Sequence, residues 1–224
     1  MKTTLVMPAK NEESTISAAL TAAAPFVDEI IVVDGSSTDG TIAAAERCGA
    51  KVVRQNGRGK GDALRLGIKL AGGDVIVFMD ADGSHEPSDI PKLTAPIASG
   101  EADMVVASRA KGGSDEVFMT VDGMIRHTGG YIAAMIINYR WGSSLTEVEN
   151  GFRAVRTSAA RAMNLSTNGF EIEQEIVIKA LKNKFKVTEV GSHEYARRGG
   201  QSKLPTRSAW RFVAHIIKEM LTGK

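Results

Sequence analysis

Asp80 and Asp82 stand two residues apart in MDADGSH, directly after the apolar run VIVF. In extended backbone, residues two apart point to the same side, so the two carboxylates can hold one hard cation between them. Paired aspartates with positions left open for water and diphosphate oxygens are a usual way of presenting Mg2+ or Mn2+ to a nucleotide. Such a cation acts as a Lewis acid on a leaving diphosphate. A solvated acidic turn that caps the next helix is the competing explanation of the same residues, so the pair counts by its setting and not alone.

Two more apolar runs end in the same way, and a glycine-rich segment accompanies them. VVDGSSTDG places Asp34 after buried residues, where its carboxylate can accept from a base N–H or a ribose hydroxyl, while Ser36, Ser37 and Asp39 read as turn and cap residues. MPAKNEE ends its run with Pro8 and Ala9, followed by Asn11 and Glu12, which either cap a helix or touch ribose; capping is the simpler choice. GRGKGDAL sets Lys60 among glycines at a helix start, an arrangement suited to an anionic oxygen. It lacks P-loop spacing.

The elements that must position these residues alternate. Thr3 to Met7, Glu29 to Val33, Ala50 to Arg54, Val75 to Met79 and Asp103 to Ala107 read as buried strands. Asn11 to Ala24, Thr41 to Cys48, Gly61 to Ala71 and Ser88 to Ala98 read as the helices between them, the first with an Asn cap, the others stopping near glycine. A β-α series of this kind predicts an α/β domain with a mostly parallel central sheet flanked by helices, binding its ligand beyond the carboxyl ends of the strands. The second half is less regular: helices over Asp122 to Tyr139 and Glu171 to Leu181, strands over Gly151 to Val155 and Lys186 to Val190, and RRGGQSK as a basic loop. From Arg207 to Leu221 apolar and basic residues interleave at helical spacing, an amphipathic helix.

With 224 residues, 43% hydrophobic and 24% charged, the chain has material for one folded domain, residues 1–224. A net charge of +2 gives no general attraction for nucleic acid, and none is expected as a partner. The lone Cys48 allows no internal disulfide and no cysteine-rich zinc site. The first apolar run breaks at Pro8, unlike a signal peptide, and no window approaches the ~20 apolar residues of a membrane span, Tyr131 to Ile137 being the longest. Cytoplasmic residence is the expectation.

PAKNEE, VVDGSSTDGT, GKGDAL, DADGSHEP, ASRAKGG, NGFRAVR, GFEIEQE and RRGGQSKL stand in an order that resembles the inverting GT-A glycosyltransferases. The closer resemblance is to the dolichyl-phosphate mannose synthase and polyprenyl-phosphate glycosyltransferase branch, over nearly the whole chain. It implies a GT-A, Rossmann-like single domain, with 1–110 as the nucleotide-sugar half and 111–224 as the acceptor half. It implies a nucleotide pocket of Pro8, Ala9, Glu12, Asp34, Lys60 and Asp80, and Mg2+ or Mn2+ on Asp80 and Asp82, with Asp82 the principal ligand. Arg109, Arg126 and Arg198 would surround the donor diphosphate and the acceptor phosphate, Asp82, Arg109 and Arg198 being the catalytic set. The implied donor is a GDP- or UDP-sugar of mannose or glucose type and the acceptor a polyprenyl or dolichyl phosphate. Two departures stand out: Gly83-Ser84 where the family commonly has Leu-Gln, and Glu147 where it usually has Asp.

A phosphate monoester, with a second pKa of about 6, arrives largely dianionic and needs no general base, so catalysis would consist of orientation and stabilisation of the departing diphosphate, with inversion. The rival enzyme uses a small phosphorylated or hydroxyl acceptor with Glu173 or Glu175 as base. A silent nucleotide-sugar-binding subunit is the non-enzymatic alternative. A lipid acceptor predicts peripheral contact with the cytoplasmic face of a membrane through Arg207 to Lys224, or a membrane-protein partner.

Overall fold

Seven strands form where Val, Ile and Met cluster: β1 Thr3–Ala9, β2 Glu29–Asp34, β3 Lys51–Arg54, β4 Val75–Phe78, β5 Met104–Ser108, β6 Arg153–Arg156 and β7 Val187–Gly191. The structure, a computed structural model, describes residues 1–115, 121–199 and 209–222, with only the helical backbone for 121–126 and 209–211. The strands make one sheet in the order β3-β2-β1-β4-β6-β5-β7. β1 pairs in parallel with β2 and β4, β2 with β3, and β5 with β7, whereas β6 is antiparallel to both β4 and β5. The expected mostly parallel sheet is therefore found.

The helices are α1 Ile16–Ala23, α2 Thr41–Arg47, α3 Lys60–Leu70, α4 Ile90–Ala98, α5 Arg109–Gly112, α6 Val121–Trp141, α7 Thr157–Ala162, α8 Ile172–Lys182 and α9 Ala209–Leu221. They cover both faces, and alternation along each strand divides the core accordingly. Leu5, Met7, Val75, Val77 and Val105 pack with α1 and α4 on one face. Val6, Ile76, Phe78, Met104 and Val106 pack with α3, α6 and α8 on the other.

Two features of this topology place the site. From β1 the chain runs outward to β2 and β3 and then returns across to β4 on the other side of β1, so the carboxyl ends of β1 and β4 flank a switch point where a crevice must open. Because β6 is antiparallel, its first residue Arg153 lies beside Phe78, the last of β4, which returns residues just before β6 to the same rim. Pro8 is tolerated in a central strand because pairing of β1 with β4 ends at Val6.

Three expectations are corrected. The first helix begins at Ile16, not Asn11: Asn11 has φ 52°, and its Oδ1 accepts from Thr38 N at 2.8 Å, tying the β1 loop to the β2 loop instead of capping α1. Strand β4 stops at Phe78, so Asp80 and Asp82 lie in the following turn, which Gly83 closes at φ 77°, and strand alternation does not set their directions. The helices α5 and α7, of 4 and 6 residues, were not anticipated; neither is long enough to show a 3.6-residue period.

Candidate active site

A cavity of about 1290 Å³ opens at the carboxyl ends of β1, β2 and β4. That exceeds the usual range for one drug-sized ligand. Pro8, Ala9, Glu12, Lys60, Asp80, Asp82 and Arg109 all line it, so seven of the residues singled out by sequence come together.

Lys60 opens α3, where Gly59 at φ 88° and Gly61 let the helix start press against the 167–168 backbone; a Cβ on either would stand 2.2 Å from a carbonyl oxygen. Its ammonium lies 2.7 Å from Asp80 Oδ1 and 2.7 Å from Glu173 Oε1. Burial opposes the charge, but the Asp80 and Glu173 carboxylates outweigh it and hold the lysine pKa above its ordinary value. Burial likewise opposes ionisation of Asp80, and Lys60 and His85 overcome it, keeping this carboxyl below the usual range. His85 stacks on Phe152 at 5.1 Å, with Nε2 3.7 Å from Asp80 Oδ2. That nitrogen is buried and makes no hydrogen bond. Gly151, delivered by the antiparallel β6, closes this corner: a Cβ there would sit 2.8 Å from both Asp80 Oδ2 and Lys60 Nζ.

Asp82 has different partners. Its Oδ1 accepts from Ser84 N at 3.0 Å and Ser84 Oγ at 2.7 Å, and its Oδ2 lies 2.8 Å from Arg197 Nη1. Ser84, at the position of the family's Gln, thus orients Asp82. Arg197 lines the cavity, whereas Arg198, the residue the resemblance favoured, is exposed, beside Gly83 and 5.9 Å from the Tyr195 ring. Only its backbone reaches the site, Arg198 N donating to Asp82 O at 3.1 Å. The physical reason lies in what each side chain meets: Arg197 the Asp82 carboxylate, Arg198 the Gly83 turn and the Tyr195 ring.

Arg109 starts α5 at the end of β5. Glu147 accepts from its Nε at 2.6 Å and Nη2 at 3.0 Å, and Glu194 lies 3.5 Å from Nη1. Burial disfavours its charge, but Glu147 and Glu194 raise its pKa further above the ordinary value, and Glu147 is held low in return. Glu147 also accepts the backbone N–H of Val148, Glu149 and Asn150 at 2.9 to 3.1 Å, so the Asp-to-Glu departure organises the loop ahead of β6.

Asp34 is wholly buried below the rim. Its oxygens accept from Ser36 N at 3.0 Å and Ser37 N at 3.2 Å, while its neighbours Val33, Gly35 and Ser36 line the cavity. Arg126 falls in the backbone of α6, and its side chain lies outside the described residues. The segment from Gly200 to Leu204 in RRGGQSKL is also outside them. Of the two carboxylates considered as a base, Glu175 is turned away: Ser166 and Thr167 donate four hydrogen bonds to it at 2.6 to 2.9 Å, and Lys179 lies at 2.7 Å. Burial is outweighed there, and its pKa falls to about 2. Glu173 lines the cavity, between Lys60 and Arg153, each at 2.7 Å.

The far end of the cavity is apolar. Ile132 and Ile136 of α6, and Val213, Ile216 and Ile217 of α9, line it. α6 is apolar on both sides: Ala133, Ala134 and Ile137 are buried, while Ile132, Met135, Ile136 and Tyr139 are 48%, 62%, 36% and 92% exposed. α9 docks on α8 through Ile216 and the Glu219–Lys182 pair at 2.7 Å, leaving Val213, Ile217 and Leu221 outside. The expected amphipathic helix is thus anchored by one face and presents a second apolar stripe. No helix among the described residues is long and apolar enough to cross a membrane.

An α/β crevice that gathers paired aspartates, a lysine and arginines at a strand switch point has the chemistry to hold a phosphorylated ligand. Residues 4–163 match the family model described as glycosyl transferase family 2, and the chain belongs to that family. It is 33% identical over 230 residues to a dolichol-phosphate mannosyltransferase of Pyrococcus furiosus, covering 98% of this chain and 64% of that protein. It is 29% identical over 239 residues to an undecaprenyl-phosphate mannosyltransferase of Micrococcus luteus, covering 100% of this chain and 96% of that one. The chain spans between half and two thirds of the length of several curated relatives, the Pyrococcus protein among them. Glucosyl-3-phosphoglycerate synthase from Mycobacterium tuberculosis, solved with Mn2+ and UDP-glucose, superposes with a TM-score of 0.77 over 100% of this chain and 80% of that one at 24% identity, a likeness of fold.

Proposed function

We propose that this chain transfers a hexose, with inversion, from a nucleoside-diphosphate sugar to the phosphate of a polyprenyl or dolichyl phosphate. One observation carries the acceptor class: a single cavity runs from a charged end at Asp80, Asp82, Lys60 and Arg109 to an apolar wall whose side chains continue onto the exposed surface of α6 and α9. An acceptor with a dianionic head and a long hydrocarbon tail has that distribution of chemistry. In this proposal residues 1–110 hold the nucleotide, with Asp34 fixing from below the Gly35–Ser36 turn that meets it, and 111–224 hold the acceptor.

Among the described residues no three acidic or histidine side chains converge on a point where a cation would sit. Two carboxylates still suit Mg2+ or Mn2+ when diphosphate oxygens and water fill the other positions, and His85 Nε2, buried 3.7 Å from Asp80 Oδ2 without a hydrogen bond, leaves that corner incompletely bonded. Asp80 and Asp82 would hold the ion, which when bound supplies Lewis acidity at the leaving diphosphate. Lys60 and Arg197 add positive charge beside those aspartates. Arg109, splinted by Glu147, retains N–H groups for an acceptor phosphate. With Glu175 saturated and Glu173 held between two cations, the site favours a nucleophile that arrives already ionised.

Purified protein with Mn2+ and a panel of GDP- and UDP-sugars should release nucleoside diphosphate with a short polyprenyl phosphate and far less with 3-phosphoglycerate. Faster release with the small acceptor would overturn the lipid-phosphate assignment.

A further inference from the structure

Two hydrogen-bonding groups on the cavity wall are left incomplete. Gln174, in the first turn of α8, is 0% exposed, and its Nε2 donates to Glu149 Oε1 at 2.6 Å. That bond fixes which way round the amide sits, and it turns Oε1 to a place where it is buried without a partner. Glu149 is the second group. Lys60, Arg109 and Arg197 are matched by other carboxylates, and among the described residues Gln174 is the one hydrogen-bond donor to Glu149. Burial raises the pKa of Glu149 above the ordinary carboxylate value despite the Gln174 contact. A buried acceptor such as Gln174 Oε1 is costly to leave unbonded, and Glu149, half-buried, turns its second oxygen to the same cavity, so both suit a ligand that donates. Phosphate oxygens accept, and a carboxylate repels them; sugar hydroxyls donate.

The position agrees with the chemistry. Gln174 follows Glu173, whose carboxylate holds Lys60. On the other side, a Cβ on Gly130 of α6 would stand 3.3 Å from Glu149 Oε2. The pair therefore lies between the cation end of the cavity and the α6 wall. Attack on an anomeric carbon requires the hexose to sit between the leaving diphosphate and the incoming acceptor.

We propose that Glu149 and Gln174 form the hexose subsite, their free oxygens receiving hydroxyls of the transferred sugar and so setting which sugar is accepted. The assignment rests on the nucleotide-sugar donor proposed above. It is tested by equilibrium titration of the full chain with Mn2+ and each of UDP, UDP-glucose, GDP and GDP-mannose. Glu149→Gln, nearly isosteric, and Gln174→Met, similar in size without hydrogen bonds, are compared with the unaltered protein, folding being checked by thermal unfolding. Each variant should weaken the bound nucleotide sugar on the order of tenfold, with the matching nucleoside diphosphate changed less than about twofold. The loss should vanish against a deoxy-sugar nucleotide lacking the contacted hydroxyl. Equal losses for sugar nucleotide and nucleoside diphosphate, or no loss for either, overturn the subsite while leaving the donor class standing. If the unaltered chain binds none of the four nucleotides, the donor class itself falls, and the subsite with it.

Discussion

The two ends of the cavity are built on opposite principles. At the charged end, Lys60, Arg109 and Arg197 each meet a carboxylate within 2.8 Å, and burial multiplies the electrostatic stakes. At the other end, α6 and α9 line the cavity with Ile132, Val213 and Ile217, each about half exposed. Charges that face a ligand must be held in place before it arrives, because a buried ion tolerates little displacement. An apolar wall needs no such geometry, since the hydrophobic effect is non-directional. The contrast teaches that one end of the cavity is fixed by geometry and the other is not, and under the proposed function the first would take the head group and the second a tail of variable length.

The contrast breaks most sharply at Asp82. Asp82→Ala removes a carboxylate assigned to the cation and frees Arg197, and transfer should fall by about 100-fold or more. Thermal unfolding should stay close to that of the unaltered protein, since among the described residues the Asp82 carboxylate bonds only its own turn and Arg197. Excess chelator should give the same loss. Near-normal nucleoside diphosphate release in either case would mean that the charged end is not where the donor's diphosphate leaves.

The apolar end gives the next largest effect. Val213 and Ile217 are 57% and 51% exposed, so Val213→Glu with Ile217→Glu should fold normally. Covering an apolar side chain contributes about 1.5–3 kcal/mol, so KM for a polyprenyl phosphate should rise by about tenfold or more, while nucleotide affinity stays unchanged. The same variant should bind vesicles containing anionic lipid less than the unaltered chain does. An unchanged KM would reassign the stripe to another partner.

A smaller difference separates the neighbouring arginines. The family resemblance favours Arg198, whereas the geometry places the Arg197 side chain on Asp82. Arg197→Ala should lower kcat/KM several-fold to about tenfold, and Arg198→Ala by about twofold or less, the gap expected between a charge-assisted contact and an exposed residue. The reverse order would show that Arg198 moves inward when ligand binds.

Much of the charged end is legible from sequence because strand-end residues stay near their strands. The β-α rhythm puts the strand ends that carry Pro8, Ala9 and Asp80 on one rim, and the family resemblance adds Lys60 and joins them into one pocket. The second half resisted for a different reason. Glu149 and Gln174 meet across 25 residues only because β6 is antiparallel, and no local pattern states a strand's direction. Arg197 and Arg198 are adjacent in sequence, so only the path of the backbone shows which one turns inward. The exposed face of α6 was visible as the run YIAAMII, but which of its residues would be covered depends on where α8 and α9 lie. Glu173 and Glu175 stay level as the base of the rival enzyme because nothing in EIEQE distinguishes a residue facing the cavity from one facing a loop.

The least effect on turnover, and the clearest on stability, belongs to Glu175. Its carboxylate gathers Ser166, Thr167 and Lys179, and the loop it fixes is the one against which Gly59 and Gly61 press to set Lys60. Its side chain is fully buried and its pKa is lowered to about 2 from 4.5. The unfolded chain therefore binds this proton more readily than the folded one, so the stabilisation is complete above pH 4.5 and disappears as the pH falls toward 2. At neutral pH it contributes on the order of 3 kcal/mol. Glu175→Gln should lower stability toward urea by a comparable amount at pH 7, and the two proteins should converge as titration approaches pH 2, with donor affinity at neutral pH altered by about twofold or less. The apolar stripe has no titrating group among Val213, Ile217 and Leu221, so the Val213→Glu, Ile217→Glu variant should keep the acid sensitivity that Glu175→Gln loses. If both variants lost it equally, acid sensitivity would reside in general charge repulsion, and the loop that supports Lys60 would not depend on this carboxylate.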